Sequence, residues 1–231
     1  MKRYPNNHYI YHGDTLNVPY GDKSKEEIKR LLINTLDFFK EKECTFVIVA
    51  CGTMSSIVDQ ELIDSYRPYF NLIDILTPTI NFLNKCIYKR IGIIGTTRTI
   101  EENKFSSVNK ELVLKATPSF VPMIEDGSYK RKKDKIEAEL EYFKDKVDCI
   151  VLGCTHFKHF TKALREIFGE NIEFLDGALG TARNIKRIAD NNNFVSEGSF
   201  KITYYESGKM IRNAERIRFL DSVLKRLEII D

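Results

Sequence analysis

Short apolar, β-branched runs recur along the whole chain, and amphipathic stretches with helical spacing separate them. The predicted strands read TFVIVA (45–50), LIDIL (72–76), RIGIIG (90–95), SFVPMI (119–124), CIVLG (149–153), IEFL (172–175) and KITYY (201–205). Strands that are apolar throughout are typical of parallel sheets that helices cover on both faces. The pattern therefore predicts the α/β class, with mainly parallel sheets covered by helices.

Two amphipathic stretches give the clearest helical signals. One begins at Ser24, and Glu27 follows three residues later, which is the pattern of a capping box. Its apolar side chains recur on one face, as in a helix that faces a core: Ile28, Leu31, Leu32, Leu36 and Phe39. A second helix is predicted over 132–146.

Length and charge exclude several classes of protein. A chain of 231 residues suits one large domain or two small ones. Its net charge of +3 is small and spread along the sequence, so that basic runs such as YKRKKDK (129–135) indicate solvated helix faces rather than a nucleic-acid partner. No secretory signal opens the sequence and no apolar run is long enough for a bilayer, so we expect no membrane partner and a cytoplasmic location.

Five cysteines form no Cys-x-x-Cys pair, and in a cytosolic protein we expect free thiols rather than disulfides. Of these, Cys44, Cys86 and Cys149 lie in or beside strand and helix segments and are interpreted as packing residues. His156 and His159 follow Cys154 closely, but no further cysteine or carboxylate lies near them in the sequence. A metal site is therefore not predicted.

One pattern occurs twice in the sequence. FVIVACGTMSS (46–56) and CIVLGCTHFKH (149–159), which begin 103 residues apart, each run from an apolar strand through one small residue to a cysteine and then to polar residues that open a helix. Two similar α/β lobes would explain the repeat. Chance similarity between two buried strands is the alternative.

Cys51 and Cys154 fall at the carboxyl ends of these strands, where open α/β sheets bind their ligands. Each also precedes a helix N-terminus, so we expect the helix dipole to lower the pKa of both thiols toward physiological pH. His156 is close enough in the sequence to exchange a proton with Cys154. The ordinary alternative is that each cysteine is only a small buried hydrophobic residue.

Two chemically alike thiols suit proton exchange at a stereocentre. One group removes the proton from one face of a carbon and the other returns a proton to the opposite face. Backbone N–H groups and the hydroxyls of Thr53 and Thr155 could hold the substrate carboxylate. No pattern indicates pyridoxal phosphate, although a lone lysine would leave no pattern to find.

Several motifs resemble those of bacterial glutamate racemases. YIYHGDTLNVPYGDKSKEEI (9–28) resembles the family's GDT…VPYG.KS segment, and ACGT around Cys51 and LGCTHF around Cys154 resemble its two catalytic-cysteine motifs. Three further segments fit the family in the same order: IGIIGTTRTI (91–100), VPMIEDG (121–127) and DGALGTAR (176–183). The likeness covers most of residues 9–190.

The resemblance implies two pseudo-symmetric α/β lobes with the site in the cleft between them. By position, residues 1–90 and 178–231 would form the first lobe and 91–177 the second. It implies a PLP-independent isomerase, without cofactor or metal, that supplies D-glutamate for peptidoglycan and so serves cell-wall biogenesis and cell shape.

Carried over by position, Cys51 and Cys154 would be the acid/base thiols, and His156 and Glu125 would assist Cys154. Asp14 would lie near the site. The residues that the resemblance assigns to substrate binding are Tyr20, Gly21, Gly52, Thr53, Thr99, Thr155 and His156. Taken singly, VPYG could be a plain turn and the Glu125 segment a surface loop.

Three departures from the family bear on the first thiol. The family opens with a strand ending in Asp-Ser-Gly, whose aspartate supports the first cysteine, and this chain starts at Met1 about where that strand and its following helix should be complete. Gly52 stands where the family has asparagine, and TIEENKF (99–105) carries Glu102 and Phe105 in place of serine and tyrosine. We therefore expect a complete second lobe and a damaged first one.

Impaired racemisation of glutamate, the expected small-molecule substrate, is the leading hypothesis. One alternative is a non-catalytic homologue that senses a ligand or contacts another protein, because an exposed sheet edge would invite pairing with another chain, including a homodimer. Another is a racemase for aspartate or hydantoins.

Overall fold

The computed structural model describes residues 6–169, 172–191 and 198–227. The chain divides into two units, a smaller one formed by Met1–Val18 with Arg187–Asp231 and a larger one formed by Pro19–Lys186. The lobe boundaries implied by the resemblance, 1–90 with 178–231 and 91–177, stay a prediction.

Strands and helices mostly alternate along the described chain. In order they are β1 (His8–Gly13), α1 (Lys25–Glu41), β2 (Phe46–Val49), α2 (Gly52–Ser56), α3 (Gln60–Tyr66), β3 (Asn71–Asp74), α4 (Leu76–Leu83), β4 (Arg90–Gly95), α5 (Thr97–Glu101), β5 (Glu111–Ala116), α6 (Phe120–Glu125), α7 (Lys133–Leu140), β6 (Cys149–Leu152), α8 (Thr161–Phe168), β7 (Glu173–Leu175), α9 (Ala178–Asn191), β8 (Lys201–Glu206), β9 (Lys209–Met210) and α10 (Ala214–Leu227). Short 3₁₀ helices occupy Lys104–Ser107, Ser128–Arg131, Glu141–Phe143 and Thr155–Phe160.

The larger unit contains two parallel sheets. One has four strands in the order β5-β4-β6-β7, and the other pairs β2 with β3. The central strands β4 and β6 are buried after the exposed Arg90, as Ile91, Ile93, Ile150 and Val151 show. The predicted α/β class with parallel sheets is confirmed.

Helix α1 begins where the capping pattern places it. The Ser24 hydroxyl accepts a hydrogen bond from the Glu27 N–H at 3.1 Å. The Glu27 carboxylate pairs with Lys23 at 2.7 Å, so only one half of the predicted capping box is formed by these two residues. The predicted apolar face is the buried one, since Ile28, Leu31, Leu32 and Leu36 pack into the core.

The smaller unit is built on a three-stranded sheet. Strand β8 pairs in parallel with β1 and in antiparallel with β9. The turn between β8 and β9 is formed by Ser207 and Gly208, both with left-handed backbone (φ 44° and 82°), as tight hairpin turns require. In the same unit the Arg216 guanidinium bonds the Glu206 carboxylate.

Two predicted elements are wrong. The run 119–124 forms helix α6 rather than a strand, because an apolar run of this length suits either element and Pro122 is tolerated in a first helical turn. The strand before this helix is β5, which was not predicted because Glu111 and Lys115 interrupt its apolar pattern. The helix predicted over 132–146 is shorter, since α7 ends at Leu140 and a 3₁₀ turn follows.

Over the described ranges, the helices are all too short or too polar to cross a bilayer.

Candidate active site

Both repeated cysteines end a strand and open a helix, as the sequence pattern predicts. Cys51 follows β2 after one small residue and is the N-cap of α2, and Cys154 follows β6 in the same way and caps the 3₁₀ helix Thr155–Phe160. Both have extended backbone, which is usual for an N-cap. The local structures of the two motifs are therefore alike.

The two motifs are in direct backbone contact inside the larger unit. A Cβ atom at Gly52 would lie 2.0 Å from the carbonyl oxygen of Gly153, and a Cβ at Gly153 would lie 2.6 Å from the carbonyl oxygen of Ile94. Neither position has room for a side chain. A side chain at position 52 would therefore require the backbone to move, and the contact brings the Cys51 and Cys154 segments together.

A histidine–carboxylate pair lies beside Cys154. The His156 Nδ1 atom is 3.7 Å from the Cys154 sulfur, and its Nε2 atom is 2.6 Å from Glu125 Oε1. Glu125 is the last residue of α6 and follows directly after the run 119–124 that was predicted as a strand. Phe120 of the same helix packs edge-on against Phe157 and Phe160 (ring centroids 5.5 and 4.8 Å apart), which holds α6 against the histidine segment.

Hydroxyl and amide groups surround Cys51. The backbone N–H groups of Thr53 and Met54 and the Thr53 hydroxyl act to lower the pKa of the Cys51 thiol. The Thr53 hydroxyl is also 2.9 Å from that of Thr96, which in turn is 2.8 Å from the Thr99 hydroxyl. All three threonines are buried. They form a chain of hydroxyls that leads from Cys51 into helix α5.

Burial overrides the helix field at both thiols, so the expected lowering of their pKa is wrong. Burial raises the pKa of Cys51, although the hydrogen bonds from Thr53 and Met54 oppose it. For Cys154, 7% exposed, burial and then the nearby charge of Cys51 raise the pKa to about 12. Removing a charged sulfur from water outweighs the partial charge of a short helix end. Both thiols are therefore protonated at neutral pH.

The other residues assigned by resemblance lie in several places. Gly21 lies against Thr96, since a Cβ there would be 3.1 Å from the Thr96 Cβ, and Tyr20 beside it is 9% exposed. Thr155 is exposed at the start of its 3₁₀ helix. Asp14 belongs to the smaller unit, where its carboxylate accepts hydrogen bonds from Asn17 and Ser207, and its proximity to the site stays a prediction.

Thr96 is a site residue that the sequence reasoning missed. It joins Thr53 to Thr99, and its side chain also accepts the Thr99 N–H at 3.2 Å as the cap of α5. The Thr-x-x-Thr spacing before an apolar residue was the available signal for the cap. The contact with Thr53 joins residues 43 apart, so no local sequence pattern could predict it.

The substituted residues in TIEENKF have structural partners here. Glu102 forms an ion pair with Lys25 of α1 at 2.6 Å. Phe105, 1% exposed, fills the core beside β4 and β6. Within the part of the chain that the structure describes, no three His, Cys, Asp or Glu side chains gather as a metal ion would require.

Several known proteins with similar sequences or structures are racemases. The family model for Asp/Glu/Hydantoin racemase matches residues 3–184. Glutamate racemase 2 of Bacillus subtilis is 33% identical over an alignment of 248 residues, covering 100% of this chain and 89% of the relative. Glutamate racemase 3 of Caldanaerobacter subterraneus is 35% identical over 218 residues, which cover 90% of this chain and 79% of the relative.

A solved structure supports the same assignment. Francisella tularensis glutamate racemase in complex with D-glutamate matches with a TM-score of 0.79 and 25% identity, over 87% of this chain and 79% of that one. The Escherichia coli glutamate racemase shares the fold, with a TM-score of 0.67 and 20% identity. The match covers 97% of this chain and 87% of that one. On the extent of the family match and of its relatives, the chain belongs to the Asp/Glu/hydantoin racemase family.

Proposed function

We propose that the protein is a glutamate racemase that inverts the Cα of glutamate with Cys51 and Cys154 as its two acid/base groups, without a cofactor. The observation that carries the proposal is the backbone contact between Gly52 and Gly153, because it brings two strand-end thiols together. Membership of the racemase family and the likeness to named glutamate racemases support the choice of reaction and substrate.

In the proposed reaction one thiolate removes the Cα proton and the other thiol donates a proton to the opposite face. Since both thiols are neutral in the free protein, one must first lose its proton. His156 can take the proton of Cys154, and Glu125 then stabilises the imidazolium across the 2.6 Å contact. At Cys51, hydrogen bonds from Thr53 and Met54 would stabilise the thiolate.

We propose further that turnover is impaired, because the two thiols have unequal support. Cys154 has a histidine and a carboxylate beside it, whereas the groups that favour the Cys51 thiolate are the hydroxyl and amides of Thr53 and Met54. A proton-transfer group that lacks its assisting partner commonly loses a factor of about 10²–10⁴ in rate.

The D-glutamate formed would serve peptidoglycan synthesis. The proposed contacts for glutamate are Thr53, Thr99, Thr155 and the Tyr20–Gly21 turn.

The test is to follow L-glutamate and D-glutamate separately by circular dichroism at high enzyme concentration, with Cα deuterium exchange measured by mass spectrometry. We expect slow racemisation in both directions, abolished by Cys51→Ser and by Cys154→Ser. Cys86→Ser is the matched control, because the Cys86 thiol bonds the Leu83 carbonyl outside this site.

Other outcomes would replace the proposal. A flat trace with glutamate bound, as measured by calorimetry, would favour the non-catalytic homologue. Turnover of aspartate or a hydantoin in place of glutamate would assign another substrate within the family.

A further inference from the structure

Residues Glu102–Phe105 connect α5 to the next strand and fasten two other elements of the larger unit. The Glu102 carboxylate pairs with Lys25 at the start of α1. The ammonium of Lys104 donates hydrogen bonds to the carbonyl oxygens of Ser55, at 2.7 Å, and of Val58. The left-handed backbone of Asn103 (φ 53°) and the buried ring of Phe105 fix the position of Lys104 between them.

Of the two carbonyls that Lys104 bonds, that of Ser55 lies in the last turn of α2, the helix that Cys51 opens, and that of Val58 lies just after the helix C-cap. The last carbonyls of any helix lack partners within the helix, and a lysine is a favourable donor to them because the dipole places negative charge there. Burial opposes the charge of Lys104 and lowers its pKa, while the carboxylates of Asp74, Asp59 and Glu102 favour the charged form. Lys104 therefore places a half-buried positive charge directly on the carbonyl oxygens of Ser55 and Val58.

The opposite end of α2 is capped by Cys51, and the helix is bonded to the Cys51 segment. The Ser55 N–H donates to the Cys51 carbonyl oxygen at 2.8 Å, and the Ser55 hydroxyl ties the same helix to the Val49 carbonyl at 2.8 Å. Thr53 and Met54 at this end act to lower the pKa of Cys51, against the effect of burial. Since α2 has only five residues, a shift of its carbonyl end moves its amide end as well.

We propose that Lys104 is a positioning residue for Cys51, because its ammonium holds Ser55 of α2, whose N–H is bonded to the Cys51 carbonyl, and so holds the segment that carries the thiol. Its importance for catalysis rests on the proposed racemase function, but its effect on Cys51 does not. Sequence reasoning gave no reason to single out Lys104, whose partners lie 49 and 46 residues away.

The experiment measures iodoacetamide labelling of each cysteine by mass spectrometry in the full chain. In Lys104→Met, which keeps most of the length of the side chain but not the charge, we expect Cys51 labelling to fall at least about threefold relative to Cys154, because α2 shifts and Thr53 and Met54 then favour the Cys51 thiolate less. Lys104→Arg should keep the ratio within about twofold of the wild type, since it retains a cation for the carbonyls. Lys133→Met is the matched control, because Lys133 pairs with Glu166 in an exposed ion pair.

If Lys104 only stabilised the fold, its replacement would speed the labelling of Cys51 and Cys154 together, because unfolding exposes both thiols. An unchanged ratio in Lys104→Met, a faster reaction of Cys51, or equal acceleration of both thiols overturns the proposal. If near-UV circular dichroism shows that Lys104→Met does not fold, Lys104→Gln, a neutral donor, is measured under the same criterion. Racemisation is assayed alongside, so an inactive wild type would refute the proposed function while the labelling ratio still tests Lys104.

Discussion

Single side chains around Cys154 form a path for its proton. His156 reaches the sulfur with one ring nitrogen at 3.7 Å and Glu125 with the other at 2.6 Å. The imidazole can therefore hold a proton while the carboxylate fixes the ring and stabilises its charge. Burial keeps the thiol neutral until that transfer occurs, because it raises the pKa of Cys154 to about 12.

Replacing this histidine should slow racemisation strongly. For His156→Asn we expect kcat/KM for glutamate to fall about 10²–10³-fold, because Cys154 then has no group to receive its proton. Initial rates by circular dichroism in both directions provide the measurement. His159→Asn is the control, since His159 is an exposed residue of the same 3₁₀ helix. Equal losses in the two variants would refute a proton-transfer role for His156.

At the scale of elements, the site depends on how α2 meets the segment after β6 and helix α5. The Gly52–Gly153 contact allows only backbone between two strand ends, and the Thr96 hydroxyl joins α2 to α5. Both are packing features that involve no charged group.

A methyl group at Gly52 should disturb this contact. For Gly52→Ala we expect a loss of about 1–3 kcal/mol in the free energy of unfolding, because the new Cβ would lie 2.0 Å from the Gly153 carbonyl oxygen and backbone must move. Urea denaturation gives the value. Gly13→Ala is the control, because its Cβ would meet the Tyr11 side chain at 3.2 Å. A fully stable Gly52→Ala protein would show that the strand ends are farther apart.

Removing the central hydroxyl of the threonine chain should also destabilise the site. Thr96→Val leaves the buried hydroxyls of Thr53 and Thr99 without this partner, and we expect a cost of about 1–3 kcal/mol together with weaker glutamate binding. Thr96→Ser keeps the hydroxyl and is the matched control. Unfolding by urea and calorimetric titration with glutamate measure the two effects, and wild-type values for Thr96→Val would contradict them.

The elements that local pattern determines were predictable. RIGIIG is strand β4 at the predicted bounds, α1 begins after the predicted cap, and both cysteines lie at strand-to-helix junctions. The bonds to Thr96 and from Lys104 were not predictable, because they join residues 43 to 49 apart. The predicted direction of the thiol pKa shifts was wrong for a related reason. Burial, which raises the pKa of both thiols, depends on how distant parts of the chain pack around them.

For the whole molecule, several buried acidic groups are held neutral, which sets its response to alkali. Burial raises the pKa of Cys149 and of Cys154 from 9.0 to about 12 and also raises that of Tyr66. A raised pKa means that the folded state favours the protonated form. The contribution to stability is therefore complete below about pH 9 and is lost as pH rises toward about 12.

We expect the urea midpoint to fall steadily between about pH 9 and about pH 12, as the unfolded chain releases protons that the folded chain retains. In Cys149→Val, which fills a similar volume without a titrating group, the fall should be smaller. The measurement is urea denaturation by circular dichroism at matched ionic strength. A midpoint that does not change over this range would contradict the burial of these groups.

The shortness of α2 has a consequence for the order of folding. A helix of five residues cannot pass its own nucleation barrier in isolation, so α2 persists only while Lys104, Thr96 and the Gly153 backbone lie against it. Contacts of such long sequence separation form after local structure. We therefore expect the Cys51 segment to assemble among the last parts of the larger unit and to open among the first, so that substitutions in it accelerate unfolding and leave the refolding rate nearly unchanged.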